Sequence, residues 1–452
     1  MSRLVVISNR VSKWKQGGAQ GGLAVALNSA LRQNNGLWFG WSGQRVEQFT
    51  GHLNIEEHGG VRTATIDLDE QDVDEYYNGF ANRTLWPLFH YRIDLAEYER
   101  SFGEGYERVN NRFADTVLPL IEPDDAVWVH DYHLIPLGYR LRKLDCKNKI
   151  GFFLHTPWPP TRLLVALPYH ERLVESLFAY DVVGFQSEEW LESFRHYCEK
   201  ELGANIDGET ISYDDLTLKA IACPIGLDHT EFLAASQSAD ADKAHSKMRA
   251  SLQDRKLIVG VDRLDYSKGL EERFNGLERF FTDNPDQQRE VVMVQIAPPS
   301  RGEVESYQEI RAALDAQTGR INGAFAHVDW TPVRYANRGY PRAELAGIYR
   351  AAKAALVTPL RDGMNLVAKE FVVAQDPDDP GVLILSRFAG ASLQLTEALL
   401  VNPYSAEELS DAISTALAMP LQERQRRWRA MMDIMEKTDV IWWREKFTEY
   451  LR

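Results

Sequence analysis

One pattern constrains this chain more than any other. Short, continuously apolar runs alternate with stretches of helical spacing along nearly all of its length. LVVIS (4–8), GLWFGW (36–41), AVWVH (126–130), IGFFLH (150–155), VVGFQ (182–186) and LKAIACP (218–224) make a first series. KLIVGVD (256–262), VVMVQIA (291–297), AFAHVDW (324–330), AALVTP (354–359) and VLILS (382–386) make a second. Strands that are apolar on both faces suit parallel sheets with helices packed on each side. Stretches such as EEWLESFRHYCEKEL (188–202) and PRAELAGIYRAAKAAL (341–356) supply those helices. The expected fold class is therefore α/β, built of doubly wound parallel sheets.

The two series part at EFLAASQSADADKAHSKMRASLQDR (231–255), which is small, polar and helix-compatible. The expected domains are 1–232, 233–436 and a terminal helical segment, 437–452. That segment carries Trp442, Trp443, Phe447 and Tyr450 as an apolar face. Two such sheets would face each other across a deep inter-domain cleft at the carboxyl ends of their strands, where ligands of open α/β sheets bind.

Composition excludes several roles. Acids outnumber bases 66 to 51 in 452 residues, against the basic surface that nucleic-acid binding needs. No run approaches the ~18 apolar residues of a membrane span. MSRLVVISNR lacks the apolar core of a signal peptide. Cys146, Cys198 and Cys223 are far apart, without metal-ligand spacing, which fits reduced thiols and a cytoplasmic location. A homo-oligomer is compatible with all of this.

The chemistry should lie at the corners after strands. SNRVSKWKQGGAQGGLAVAL (8–27) follows the first strand with a Gly-rich loop and a helix start at Gly21-Gly22. Such a loop can approach an anion, or can be surface alone; Arg10 is an anion ligand or a surface cation. It is not GxGxxG, so the dinucleotide fingerprint is absent. VHDYHLIP (129–136) holds His130, Asp131 and His133, but the spacing does not fit a metal site. FFLHTPWPP (152–160) places His155 before a proline-stiffened loop. GVDRLDYSKGL (260–270) sets Arg263 and Lys268 on one strand-to-helix loop. They can clamp a diphosphate, or pair with Asp262, Asp265 or Glu271. APPSRGEV (297–304) brings Arg301, and RDGMNLVAKE (361–370) packs Asp362, Asn365 and Glu370 into one further corner. DEYYNGFANRTLWPLFHY (74–91) holds Tyr77 and Trp86, which read as core or as a sugar-stacking surface.

Taken in order, SNR…GGLAVAL, GLWFGWSG, EYYNGFAN…LWPLFHY, VHDYHL, GFFLHTPWP, GVDRLDYSKGL, APPSRGEV, GRINGAF and LVTPLRDGMNLVAKEF resemble the trehalose-6-phosphate synthases, retaining glucosyltransferases of glycosyltransferase family 20. The resemblance spans nearly the whole chain. It implies the GT-B architecture of two Rossmann-like domains, with the last helix returning to the first. It implies UDP-glucose as donor and glucose 6-phosphate as acceptor, both substrates; no cofactor and no metal are expected. Carried onto matching positions, Arg263 and Lys268 hold the donor diphosphate with Gly21 and Gly22. His155 and Asp362 bind the transferred glucose. Gly363, Met364, Asn365, Leu366 and Val367 line the donor, Glu370 meets the ribose and Tyr340 the base. Arg10, Tyr77 and Arg301 hold the acceptor phosphate, while Trp86 and Asp131 border its sugar. Arg263, Lys268, Asp131 and His155 are the candidate catalytic set.

Two stretches depart from the family pattern. Thr156 stands where Ile is common, and FAGASLQL brings Ser392 and Gln394 where FAGAA-x-EL is common. The alternatives are a sister synthase with another phosphorylated acceptor, such as glycerol 3-phosphate or a pseudo-sugar phosphate, a non-catalytic sugar-phosphate sensor, and a nicotinamide oxidoreductase.

Overall fold

The computed structural model describes residues 3–11, 27, 31 and 36–452. Gly21 and Gly22 lie outside these. The chain forms two compact units. One takes residues 20–225, the amino-terminal segment to residue 15 and 440–452; the other is mainly 226–439.

The first unit is built on a ten-stranded sheet. In spatial order its parallel core runs Val61–Asp69, Leu37–Val46, Leu4–Arg10, Ala126–His130, Ile150–Phe153, Val182–Phe185 and Leu216–Ala222. Antiparallel strands extend both edges: Asn54–His58 on one side, Thr210–Tyr213 and Asn205–Asp207 on the other. The central strands are wholly buried, as their unbroken apolar runs require. The order reverses between Leu4–Arg10 and Ala126–His130. A crevice opens at such a reversal, at the strands' carboxyl ends.

The helix Val440–Thr448 closes this unit. Trp443 and Phe447 are fully buried, with their rings 4.7 Å from Trp128. Gly151 and Gly184 make room: a Cβ on either would come within 2.7 Å of Phe447.

The second unit holds a six-stranded, all-parallel sheet in the order Val333–Ala336, Val291–Ile296, Lys256–Val261, Ala354–Val357, Val382–Ser386, Leu399–Val401. Its reversal falls between Lys256–Val261 and Ala354–Val357. The polar stretch after residue 228 forms two helices, His229–Ser236 and Ala239–Leu252, each capped by a side chain, Asp228 and Ser238.

AFAHVDW is not a strand. The helix Glu305–Phe325 runs into it, and the strand forms later, at Val333–Ala336. His327 and Trp330 close a tight bridge between the two, and Trp330 buries its ring on Phe281. Only Trp330 of this stretch is buried; Phe325 is half-buried and Val328 is fully exposed.

Candidate active site

In the second unit, two corners meet at the sheet reversal. The strand Lys256–Val261 runs into Asp262 and Arg263, then a turn of 3₁₀ helix at Tyr266–Lys268, then the helix Leu270–Asp283. Asp265 shapes the turn by accepting from the Ser267 N–H at 2.9 Å. Gly269 takes φ +63°, and a Cβ there would lie 2.3 Å from the Thr358 carbonyl oxygen. Only glycine lets the two corners approach so closely. The Leu360 N–H then donates to the Ser267 carbonyl at 2.8 Å.

Beneath them lies Arg273, fully buried. It donates to Asp262 at 2.7 Å, to Gln295 at 2.9 Å and to the Thr358 hydroxyl at 3.0 Å, tying three strand ends together. Burial raises the Asp262 carboxyl above its ordinary range, against the pull of Arg273 and Lys268. Asp262 is thus occupied by Arg273 and does not take Lys268. Lys268 instead reaches across to Asp362, Nζ to Oδ2 at 2.6 Å, and Arg263 is exposed.

The corner 361–370 is held from below and behind. Asn365 takes φ +83°, and its Oδ1 accepts from the Ala368 N–H to start the helix Leu366–Ala374. Its Nδ2 donates to Asp362 at 3.0 Å. The loop after Val382–Ser386 clamps the same corner. The Asp362 N–H donates to the Phe388 carbonyl, the Gly390 N–H to the Asp362 carbonyl and the Ala391 N–H to the Met364 carbonyl. A Cβ on Gly390 would come within 2.0 Å of the Gly363 oxygen. Asn365 is a cap and an Asp362 ligand at once. Met364, Asn365, Ala368 and Lys369 are buried, Gly363 too, and Leu366 and Val367 are partly exposed.

Glu370 sits on that helix with Arg342 Nε at 3.8 Å. Burial lifts its carboxyl to about 7, although Arg342 opposes the shift. Its neighbour Lys369 donates to Gln394 at 2.7 Å, and Gln394 donates on to Thr438 at 3.1 Å. Burial lowers the Lys369 ammonium to about 7. Tyr340 accepts from Arg338 at 3.0 Å and lies under its guanidinium. Arg301 takes φ +47°. It is anchored by Tyr307 and by Asp265, the latter at 3.5 Å, and the Tyr307 hydroxyl also donates to Asp265 at 3.1 Å.

In the first unit, the reversal brings Arg10 and His130–Asp131 to the ends of neighbouring strands. Arg10 is exposed, with its guanidinium 5.5 Å from the Trp41 ring. Gly43, at φ +84°, makes that position available: a Cβ there would lie 2.1 Å from Arg10 Nη2. Tyr77 stands beside Trp41 (ring centroids 5.5 Å) and stacks on His133 at 6.0 Å. It belongs to a π-helix, Val73–Leu85, which leads directly into buried Trp86. Long π-helices are rare and concentrate at functional sites. Trp86 packs on His90 and Tyr132.

Asp131 takes φ +78°, a region a non-glycine residue enters at a cost. Its Oδ1 accepts the His155 backbone N–H at 3.2 Å, while its own N–H donates to the Phe153 carbonyl at 2.8 Å. The His155 ring bonds His130 Nδ1 through Nε2 and Gln186 Nε2 through Nδ1, both at 3.0 Å. Burial pushes His155 down to about 3 and His130 well below its ordinary value, so both rings are neutral. Thr156 is buried, and its hydroxyl has no hydrogen-bond partner among the described residues.

The structure thus gathers Arg10, Tyr77, Asp131 and His155 in the first unit. It gathers Lys268, Asp362, Asn365 and Glu370 in the second, with Arg301 anchored on Asp265 of the same corner. Gly43, Gln186 and Arg273 were not singled out from the sequence; the clamp at 388–391 lies in FAGASLQL, which was, though for Ser392 and Gln394. Gly43 lies inside GLWFGWSG, and Gln186 ends an apolar run with a polar residue, so each left a trace. Arg273 left none. Among the described residues no three His, Cys, Asp or Glu are placed to hold a metal ion, and no helix is long and apolar enough to cross a membrane.

A Sinorhizobium fredii trehalose-6-phosphate synthase is 50% identical over 452 residues, covering 99% of this chain and 97% of its own. A UDP-forming alpha,alpha-trehalose-phosphate synthase from Burkholderia xenovorans, solved in complex with glucose-6-phosphate, superposes with a TM-score of 0.97. It is 48% identical, and both chains are covered in full. An E. coli structure bound with UDP-2-fluoro glucose gives 0.95 at 43% identity, covering 100% of this chain and 99% of that one. Two parallel α/β units with polar corners at their strand ends, matched this closely, make the protein a GT-B glycosyltransferase. The chain belongs to glycosyltransferase family 20, whose profile matches residues 3–452.

Proposed function

We propose that this enzyme moves glucose from UDP-glucose to glucose 6-phosphate, giving α,α-trehalose 6-phosphate and UDP. The observation that carries the reading is the pair of corners at the second sheet's reversal. There Lys268 meets Asp362 at 2.6 Å, so a cation for phosphate and a carboxylate for sugar hydroxyls share one spot. The relatives solved with glucose-6-phosphate and with UDP-2-fluoro glucose support the choice of substrates.

In this reading Arg263 and Lys268 take the donor diphosphate and Asp362 accepts from hydroxyls of the glucose. N–H groups at 363–367 face the donor from a helix start, where anions are favoured. Glu370 meets the ribose and Tyr340 the base. Arg10 and Tyr77 take the acceptor phosphate, Trp86 and Asp131 border its sugar, and Arg301 is assigned to the same phosphate.

Donor and product are both α, so configuration is retained. A glycosidase retains by placing one carboxylate as nucleophile ~5 Å from a second; no residue of this chain is assigned that job. We assign a front-face route instead. The bond from C1 to the leaving phosphate oxygen breaks, and the acceptor's anomeric oxygen bonds C1 on the same face. The acceptor's hydroxyl proton passes to the leaving phosphate. Arg263 and Lys268, rather than a metal, stabilise the charge that develops there, an effect worth several kcal/mol in a water-poor site. The three free cysteines, all buried, support a cytoplasmic location.

A matrix of nucleotide-glucose donors against acceptor phosphates, with the product's anomeric configuration read by NMR, tests the proposal. Turnover only with glycerol 3-phosphate, or an inverted product, would overturn it.

A further inference from the structure

Four hydrogen-bonding groups in the first unit form a chain whose direction is set at one end. The Ile225 backbone N–H can only donate, and it donates to Gln186 Oε1 at 2.8 Å. This fixes the amide of Gln186, whose Nε2 must then face His155 Nδ1 as a donor, at 3.0 Å. Nδ1 of His155 is therefore bare, and its ring proton is on Nε2. That N–H meets His130 Nδ1 at 3.0 Å, so His130 in turn carries its proton on Nε2. Gln186 is 1% exposed and His130 fully buried, so both ends of the chain are shielded, while His155 between them is half-buried. The tautomer of a buried histidine follows from the bond its other nitrogen makes, and here a peptide N–H anchors that bond. Ile225 is also the last residue before the chain passes into the second unit.

We propose that Gln186 is a positioning residue. It holds His155 as the Nε2–H tautomer, so that this histidine offers a sugar oxygen a hydrogen-bond donor and never a lone pair. A sugar hydroxyl can accept or donate, and a fixed donor selects one of those modes. The incoming oxygen takes or shares the N–H that His130 otherwise receives. Gln186 itself acts only through His155.

The test uses the full-length enzyme labelled with ¹⁵N-histidine, the His155 signals being identified by their loss in His155→Asn. The expected wild-type spectrum shows a bare Nδ1 and a protonated Nε2 across neutral pH. Gln186→Glu keeps the shape but cannot donate; it should place a proton on Nδ1 and lower kcat/KM for UDP-glucose about tenfold or more. Gln186→Met, which neither donates nor accepts there, should leave a mixture of tautomers. A protonated Nδ1 in the wild type, or a bare one in Gln186→Glu, overturns the relay. Should Gln186→Glu not fold, the wild-type spectrum decides alone. The effect on turnover rests on the reading that His155 meets the transferred glucose, whereas the spectrum does not. An inverted tautomer with unchanged kcat/KM would leave the relay standing and overturn the sugar-donor role.

Discussion

Lys268 and Asp362 are 94 residues apart in sequence, yet Nζ and Oδ2 meet at 2.6 Å, with both side chains largely buried. Without substrate each neutralises the other. A diphosphate would compete for Lys268 and leave Asp362 to sugar hydroxyls. A lysine so placed acts as a point charge on the leaving group, stronger as charge builds on it. Lys268→Ala should therefore lower kcat by a factor on the order of a hundred or more, with the thermal transition little changed. Near-normal turnover in that variant would remove Lys268 from the chemistry.

Gly43 supplies a prediction that separates the two substrates. A Cβ at 43 would meet Arg10 Nη2 at 2.1 Å, and the backbone there is left-handed. Gly43→Ala must push the guanidinium off Trp41 or shift the turn. The expected result is a KM for glucose 6-phosphate raised about tenfold, from loss of one charge-assisted phosphate contact. The KM for UDP-glucose should stay as it was. Equal rises for both substrates, measured by steady-state kinetics, would refute the assignment of Arg10.

The same logic applies to Arg301, whose left-handed backbone is a strained feature held in place by its neighbours. Tyr307 is buried, its hydroxyl shared between Arg301 and Asp265. Tyr307→Phe removes that tether while keeping the ring packed on Tyr266, 5.3 Å away. Losing one net hydrogen bond costs about 1 kcal/mol. A rise of roughly fivefold in the acceptor KM is expected, at constant kcat. Calorimetric titration with glucose 6-phosphate would show it directly, and unchanged affinity would exclude the tether.

What the sequence disclosed follows from which forces act locally. Central parallel strands are buried on both faces, so LVVIS, AVWVH and VLILS announce themselves as unbroken apolar runs. The edge strand Asn54–His58 has all five residues exposed, and its sequence NIEEH carries no such run. AFAHVDW misled for the opposite reason: it looks as apolar as a strand, yet it is a helix end and turn of which only Trp330 is buried, on Phe281. The charged corners were visible because Arg, Lys and Asp crowd after a strand. Their supports were not. Arg273 lies on a helix whose other charges face solvent, and only the fold shows it beneath three strand ends. Asp362 likewise owes its place to Phe388 and Gly390, a contact between chain segments that no local pattern encodes.

Glu370 yields a prediction for stability against pH. Its carboxyl is lifted from 4.5 to about 7, first by burial and against the attraction of Arg342. Between those values the folded chain holds a proton that the unfolded chain has released. Stability must then fall as pH rises from 4.5 to about 7, and level off above. A tenfold difference in proton affinity between the two states is worth ~1.4 kcal/mol, so the loss across the window is of the order of a few kcal/mol. The histidine pair works in the other direction. His155, lowered from 6.5 to about 3 by burial, takes a proton in the unfolded chain first, so its contribution is lost as pH falls through that range. Glu370→Gln removes one of the two slopes and keeps the other. Its urea-denaturation profile from pH 4.5 to 7 should therefore rise more steeply with pH than the wild type's, and the variant should be the more stable of the two near pH 7. If the two profiles run parallel, Glu370 is ionised throughout, and its burial beside Arg342 is compensated by the charge.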